Sequence, residues 1–182
     1  MDRIKTGIDG VELLMPKIYS DKRGSFSEII NDSLPFLPVQ TNWVENIERY
    51  TFRGMHWQAE PFAQAKIVKC ASGSILDVIL DIRKDSPTFG KYLVFEINDW
   101  SSAMIYVAEG LAHGYLTLFS QTKVIYFCSK KYHQEAEMGV RLDDPFFSIQ
   151  LYNPQNNKNV FFSDMLVSEK DRSWPFFQPL TL

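Results

Sequence analysis

The sequence is short of the residues that mark a metal centre, a disulfide scaffold or a membrane anchor. It holds two cysteines and three histidines. Neither Cys70, in KIVKCA, nor Cys128, in VIYFCS, has a CxxC partner or a histidine beside it, so a thiolate metal ligand or catalytic thiol has no support. Both lie in apolar runs and read as reduced, buried core residues. No apolar stretch reaches about 18 residues, and the opening MDRIKTGIDG lacks a signal-peptide core. The expectation is a soluble cytoplasmic protein with no membrane partner. Long runs of one charge are missing too, and a net charge of −3 is wrong for a nucleic-acid binder, which carries a basic excess. There is no repeat, low-complexity tract or linker, so residues 1–182 read as one domain.

Strand pattern and aromatic residues are plentiful. The 14 Phe, 8 Tyr and 4 Trp favour strands and can also wall a site for sugars or bases, but their number alone decides neither. SGSILDVILDIR (72–83) alternates, with Leu76, Val78, Leu80 and Ile82 on one face and Ile75, Asp77, Ile79 and Asp81 on the other. The first face is wholly apolar and the second mixed, as suits a strand whose inner side lines a site. KYLVFEI (91–97), SAMIYVA (102–108), HGYLTLF (113–119) and KVIYFCS (123–129) follow at short spacing. Turn residues separate them: Asp85-Ser86-Pro87, Asn98-Asp99, Glu109-Gly110 and Ser120-Gln121. Such spacing predicts an antiparallel all-β sandwich or barrel. Helix is scarce, with candidates only for a turn at 31–36 and a short helix at 168–174.

The histidines are His56, in RGMHWQ, His113, opening a strand after AEGLA, and His133. With Lys66, set among apolar residues, and Tyr126 on the next strand, His56 and His113 resemble a set for proton transfer beside a carbonyl. A base removes the α-proton, cations or N–H donors hold the enolate oxygen, and an acid returns a proton on the other face. Each residue also has a plainer role, as a core histidine, a lysine snorkelling from a strand edge or a core tyrosine. A metal site is the rival, but two residues after His56 stands Gln58, a poor ligand. In a regular strand Arg53 and His56 face opposite sides. Both reach one pocket only if pairing breaks, and Gly54 is the natural place for a bulge.

Seven strings in order then carry a resemblance: DKRGSFSE (21–28), QTN (40–42), FRGMHWQ (52–58), AQAKIVKCASGSILDVILDIRKDSPTFGKY (63–92), YVAEGLAHGY (106–115), VIYFCSKKY (124–132) and LVSEKDRSWP (166–175). Together they resemble the dTDP-4-dehydrorhamnose 3,5-epimerase family of cupin-fold sugar epimerases, over roughly residues 3 to 178. The resemblance implies a double-stranded β-helix (jelly-roll) barrel with short peripheral helices, usually a homodimer, using neither metal nor organic cofactor. The implied substrate is a dTDP-linked 4-keto-6-deoxyhexose, inverted at the carbons flanking the ketone. By position, His56 resembles the general base and Asp171 its dyad partner, although Ser168 to Asp171 equally fits a helix-capping pattern. Lys66 resembles the residue that stabilises the enolate oxygen, with His113 beside it and Asp77 behind His113. Tyr126 resembles the general acid. Arg53, Gln40 and Asn42 look like diphosphate or sugar contacts, and Arg23, Phe26 and Glu28 fall in a segment reaching a nucleotide site, partly across subunits. Departures are Val44 and Asn46 where serines are common, Leu142 and Leu151 where tryptophans are, and Lys131-Tyr132 in place of an aromatic pair. Two other classes are weighed: a non-catalytic sugar- or nucleotide-binding barrel and a metal-dependent cupin enzyme. Within the fold, inversion at one carbon only is the alternative.

Overall fold

A computed structural model of the chain describes residues 1–178. In chain order its strands are β1 (Asp2–Lys5), β2 (Val11–Met15), β3 (Ile18–Asp21), β4 (Gly24–Ser27), β5 (Gln40–Asn46), β6 (Thr51–Gln58), β7 (Lys66–Ser72) and β8 (Ser74–Asp81). There follow β9 (Tyr92–Asn98), β10 (Met104–Val107), β11 (Leu111–Thr117), β12 (Thr122–Cys128), β13 (Glu137–Gly139), β14 (Leu151–Asn153), β15 (Lys158–Val160) and β16 (Leu166–Val167). One α-helix, α1 (Glu169–Ser173), follows β16 among the described residues. The expected all-β jelly roll is what forms. One sheet runs β1-β2-β10-β7-β12-β5 and the other β13-β6-β11-β8-β9, with β16 added parallel to β6.

The alternation in β8 explains how the layers pack. Ile75 and Ile79 join Val68, Cys70, Ile105, Val124 and Tyr115 in the cluster between the two sheets. Leu76, Val78 and Leu80 face outward into a second cluster, under Val140, Leu142, Phe147, Leu151, Val160, Met165 and Val167 of the C-terminal segment. All eight residues of β8 are therefore buried, including the polar ones. On the opposite side Leu34, with Ile29 and Phe36, covers Leu14, Ile67, Met104 and Phe127 of the other sheet. The segment 31–36 is the expected turn, closed by Leu34 N–H on the Asn31 carbonyl at 3.2 Å and by Ser33 N–H on Asn31 Oδ1 at 3.0 Å. Both cysteines are buried and unpaired in disulfides.

The pairing of β6 with β11 breaks at Gly54, as its sequence predicts. His113 pairs with His56 and Tyr115 with Arg53, so one residue of β11, Gly114, faces two of β6. Phe52 and Met55 consequently share the outer cluster, and Arg53 and His56 both take the inner side. The two backbones approach closely here. A Cβ on Gly54, whose φ is +133°, would lie 2.5 Å from Gly114 Cα; a Cβ on Gly114 would lie 2.8 Å from the Arg53 carbonyl oxygen. Gly114→Ala should therefore cost about 1–3 kcal/mol by overpacking, read as a lower urea midpoint at unchanged slope. A midpoint equal to that of the parent would show that the strands can separate freely.

Candidate active site

Strand alternation puts most of the sequence-predicted residues on the inner wall of the barrel. Val68 and Val124 mark the inner faces of β7 and β12, so Lys66 and Tyr126 share those faces, and Asn42 sits directly opposite Tyr126 on β5. Asp77 lies between Ile75 and Ile79 on β8, and His113 between Leu111 and Tyr115 on β11, all four neighbours belonging to the inter-sheet cluster. Arg53, His56, Gln40 and Asn42 complete this wall from β6 and β5.

Asp171 reaches the wall from the other end of the chain. Parallel pairing of β16 with β6 (Leu166 with Thr51, Val167 with Phe52) brings α1 beside His56. His56 Nε2 and Asp171 Oδ1 are 2.7 Å apart, and Asp171 Oδ2 accepts the Gly54 N–H at 3.2 Å. The capping expectation holds as well: the Asp171 N–H donates to Ser168 Oγ at 3.1 Å. Main chain and side chain of one residue thus serve both roles. Burial alone would raise the Asp171 carboxyl, but the hydrogen bond and charge of His56 and the Gly54 N–H outweigh it and hold the group below its ordinary value. With that carboxylate ionised, His56 Nε2 carries the hydrogen and Nδ1 the lone pair, the arrangement of a base.

A second histidine–carboxylate pair lies deeper. His113 Nε2 is 2.8 Å from Asp77 Oδ2, with both side chains almost wholly enclosed; Asp77 Oδ1 has no partner among the described residues. The Tyr126 ring stands edge-on to His113, centroids 6.1 Å apart, and 6.0 Å from Tyr115. Burial pushes the Tyr126 phenol well above its usual range, so it keeps its proton. Burial also lowers the Lys66 ammonium, against the opposing charges of Cys128, Glu137 and Asp77. A base, a cation, a buried imidazole and a protonated phenol on one wall suit enolisation next to a ketone.

Several members of this wall were not foreseen. Asn46 Oδ1 accepts both Arg53 Nε (2.9 Å) and the Tyr115 hydroxyl (3.1 Å). Glu137 accepts from Lys170 and from the Tyr132 hydroxyl, and Trp174 sets its ring against His56 at 6.2 Å. Lys170 was within reach of the sequence, since it adjoins Asp171 in SEKD. Gln40 Nε2 donates to Asn42 Oδ1 at 2.9 Å, and Gln40 Oε1 accepts the Tyr132 N–H. Gln58 is spent on the loops that follow β6 and β12, donating to the Phe62 and Lys131 carbonyls and accepting the His133 N–H.

Arg23, Phe26 and Glu28 are not brought to this wall. They belong to the exposed β3–β4 hairpin and the residue after it, where Arg23 pairs with Asp21, Phe26 packs near Tyr19 and Glu28 accepts from Asn31.

Known proteins of one family resemble the chain along nearly its whole length. Residues 5–179 match the family model described as dTDP-4-dehydrorhamnose 3,5-epimerase. A relative of that description from Methanothermobacter thermautotrophicus is 35% identical over 176 residues, spanning 94% of this chain and 91% of its own length. The crystal structure of the enzyme from Elizabethkingia anophelis superposes with a TM-score of 0.87 at 33% identity, covering 97% of this chain and 96% of its own. That from Bacillus anthracis, solved with TDP and PPi bound, gives 0.86 at 32%, covering 97% and 99%.

The depressed Asp171 carboxyl has a consequence for stability. A group whose folded pKa lies below its unfolded value stabilises the fold above the unfolded value and stops doing so as pH falls through the folded one. Asp171→Asn should therefore unfold at lower urea than the parent at pH 7, with the gap closing as pH falls below the ordinary carboxylate range. A gap independent of pH would mean that the Asp171 charge contributes nothing.

Proposed function

The chain belongs to the dTDP-4-dehydrorhamnose 3,5-epimerase family, a family of isomerases, and on that premise we propose that its barrel inverts C3 and C5 of a dTDP-linked 4-keto-6-deoxyhexose in deoxysugar biosynthesis. The observation that carries the proposal is the His56–Asp171 pair, at 2.7 Å, on the same wall as a phenol that keeps its proton.

In this mechanism His56 Nδ1 takes the proton from the carbon next to the C4 ketone, and the C–H electron pair moves to the carbonyl oxygen. The Lys66 ammonium holds the enolate oxygen, with His113 beside it and Asp77 fixing the imidazole of His113. Tyr126 then donates its hydroxyl proton to the opposite face of the carbon; its phenolate regains a proton from solvent while the His56 imidazolium sheds one to solvent, which resets the pair for the second carbon. Proton traffic alone completes the reaction, so neither metal nor organic cofactor takes part. Arg53, with a planar fork of donors, suits the diphosphate, and Gln40 and Asn42 suit sugar hydroxyls. Residues 1–182 act as one domain, and the working unit is a homodimer. What supports the dimer is the β3–β4 hairpin: Tyr19 and Phe26 are 53% and 67% exposed there, a cost that a partner's site would remove, and Arg23 and Glu28 would meet the nucleotide from across the interface.

Incubation with dTDP-4-keto-6-deoxyglucose in D₂O, read by NMR, tests the reaction. Deuterium should enter at both C3 and C5; label at one carbon would reduce the activity to a single epimerisation, and none would reject it. His56→Ala should abolish exchange with modest change in binding. Tyr126→Phe should suppress inversion more than the first exchange, and equal loss of both would remove Tyr126 as the acid. The lowered Lys66 sets the alkaline limb: the ammonium exists below its pKa, so kcat falls as pH rises through a value under 10.5. Lys66→Arg should move that fall upward, since guanidinium keeps its proton. The subunit arrangement has its own check, in which separately inactive His56→Ala and Arg23→Ala proteins are mixed and allowed to exchange. Recovered activity is expected, because one hybrid site holds both native residues; no recovery would put Arg23 and His56 in the same chain's site.

A further inference from the structure

Asn46 is the last residue of β5, 2% exposed, and both polar atoms of its amide are engaged. Its Nδ2 donates to the Thr122 carbonyl at 3.1 Å, across the β5–β12 pair. Its Oδ1 takes two hydrogens, from Arg53 Nε at 2.9 Å and from the Tyr115 hydroxyl at 3.1 Å. Reversing the amide would set an NH₂ against two donors, so the orientation is fixed. The Nε of Arg53 is thereby occupied while the residue as a whole stays exposed, which leaves the two terminal nitrogens as its fork. Tyr115 is wholly buried and its ring lies 6.0 Å from that of Tyr126. Because its hydrogen goes to Asn46, the phenol presents its oxygen lone pair to the remaining neighbours.

We propose that Asn46 is a positioning residue for the reaction: one amide oxygen aims Arg53 at the anionic part of the substrate and steadies Tyr115 against Tyr126, so that anchoring and reprotonation share a single support. This rests on the function proposed above. Asn46 touches no reacting atom in this role; it acts through Arg53 and Tyr115. Both tasks need an oxygen acceptor at the end of a side chain long enough to reach both donors, and neither needs the donor to Thr122.

Three variants separate these demands. Asn46→Asp retains the acceptor and loses the donor to Thr122. Asn46→Ser is too short to reach Arg53 and Tyr115 together. Tyr115→Phe removes only the second branch. Each is assayed for KM, kcat and the ratio of inversion to deuterium exchange, with thermal unfolding and a calorimetric titration with dTDP alongside. Asn46→Ser should raise KM and weaken dTDP binding roughly tenfold or more, the scale of a lost charge-assisted hydrogen bond. Asn46→Asp should stay within about threefold of the parent on both. Tyr115→Phe should leave KM and dTDP affinity near the parent values and lower the inversion-to-exchange ratio. Parent-like kinetics in Asn46→Ser would overturn the proposal. So would equal losses in Asn46→Asp and Asn46→Ser that follow the melting temperature, because the Thr122 bond would then be the role. If the parent protein exchanges no proton at all, the functional assignment fails, and the dTDP titration still decides whether Asn46 aims Arg53.

Discussion

The barrel's chemistry depends on how closely two backbones approach where β6 crosses β11. With Gly54 and Gly114 facing each other, neither carrying a Cβ, the strands come near enough for one residue to oppose two. That extra residue reverses the sidedness of β6 between Phe52 and Met55. Without it, either Arg53 or His56 would point into the outer apolar layer, and a charged or titrating group there would be unpaired among Leu76, Leu116 and Met165. The same two glycines leave the Gly54 N–H free of β11, and this donor goes to Asp171. Sidedness of the base and attachment of its partner thus have a common origin in two missing side chains.

The outer layer does more than bury apolar surface. By packing over β6, β8 and β11, the C-terminal segment is pinned before it reaches α1, so the carboxylate arrives beside His56 on a supported element. Trp174 then seals the far side. Its indole lies over Gly139 of β13, where a Cβ would fall 2.3 Å from the ring, and its edge meets the imidazole. His56 is held between the carboxylate and an aromatic wall.

Much of this was legible in the sequence, for local reasons. β8 to β12 announced themselves through alternation and turn residues, both encoded within a few positions. Gly54 disclosed the bulge because parity alone forbids Arg53 and His56 from sharing a face. Asp171 was ambiguous for an equally physical reason: Ser168 and Asp171 form a cap whatever the carboxylate does, and its histidine lies 115 positions away. Glu137 and Tyr115 were invisible, and Asn46 showed only as a departure from a common serine, since their importance comes from cross-strand register that no periodicity reports. The stretch 137–167 gave no strand signal because its strands span two or three residues each, below the length at which alternation can be read. Arg23, Phe26 and Glu28 were named only through resemblance; nothing in a small exposed hairpin states what it will touch.

The position of Asp171 also bears on how the molecule is made. His56 lies in the first third of the chain, and the carboxylate that fixes its tautomer is synthesised more than a hundred residues later. While the C-terminal segment is still within the ribosome, the imidazole has no anion to orient it and the inner wall is without its base. A prematurely ended chain lacking α1 would lack this pair for the same reason. The His56–Asp171 pair is in this sense among the last contacts the polypeptide acquires.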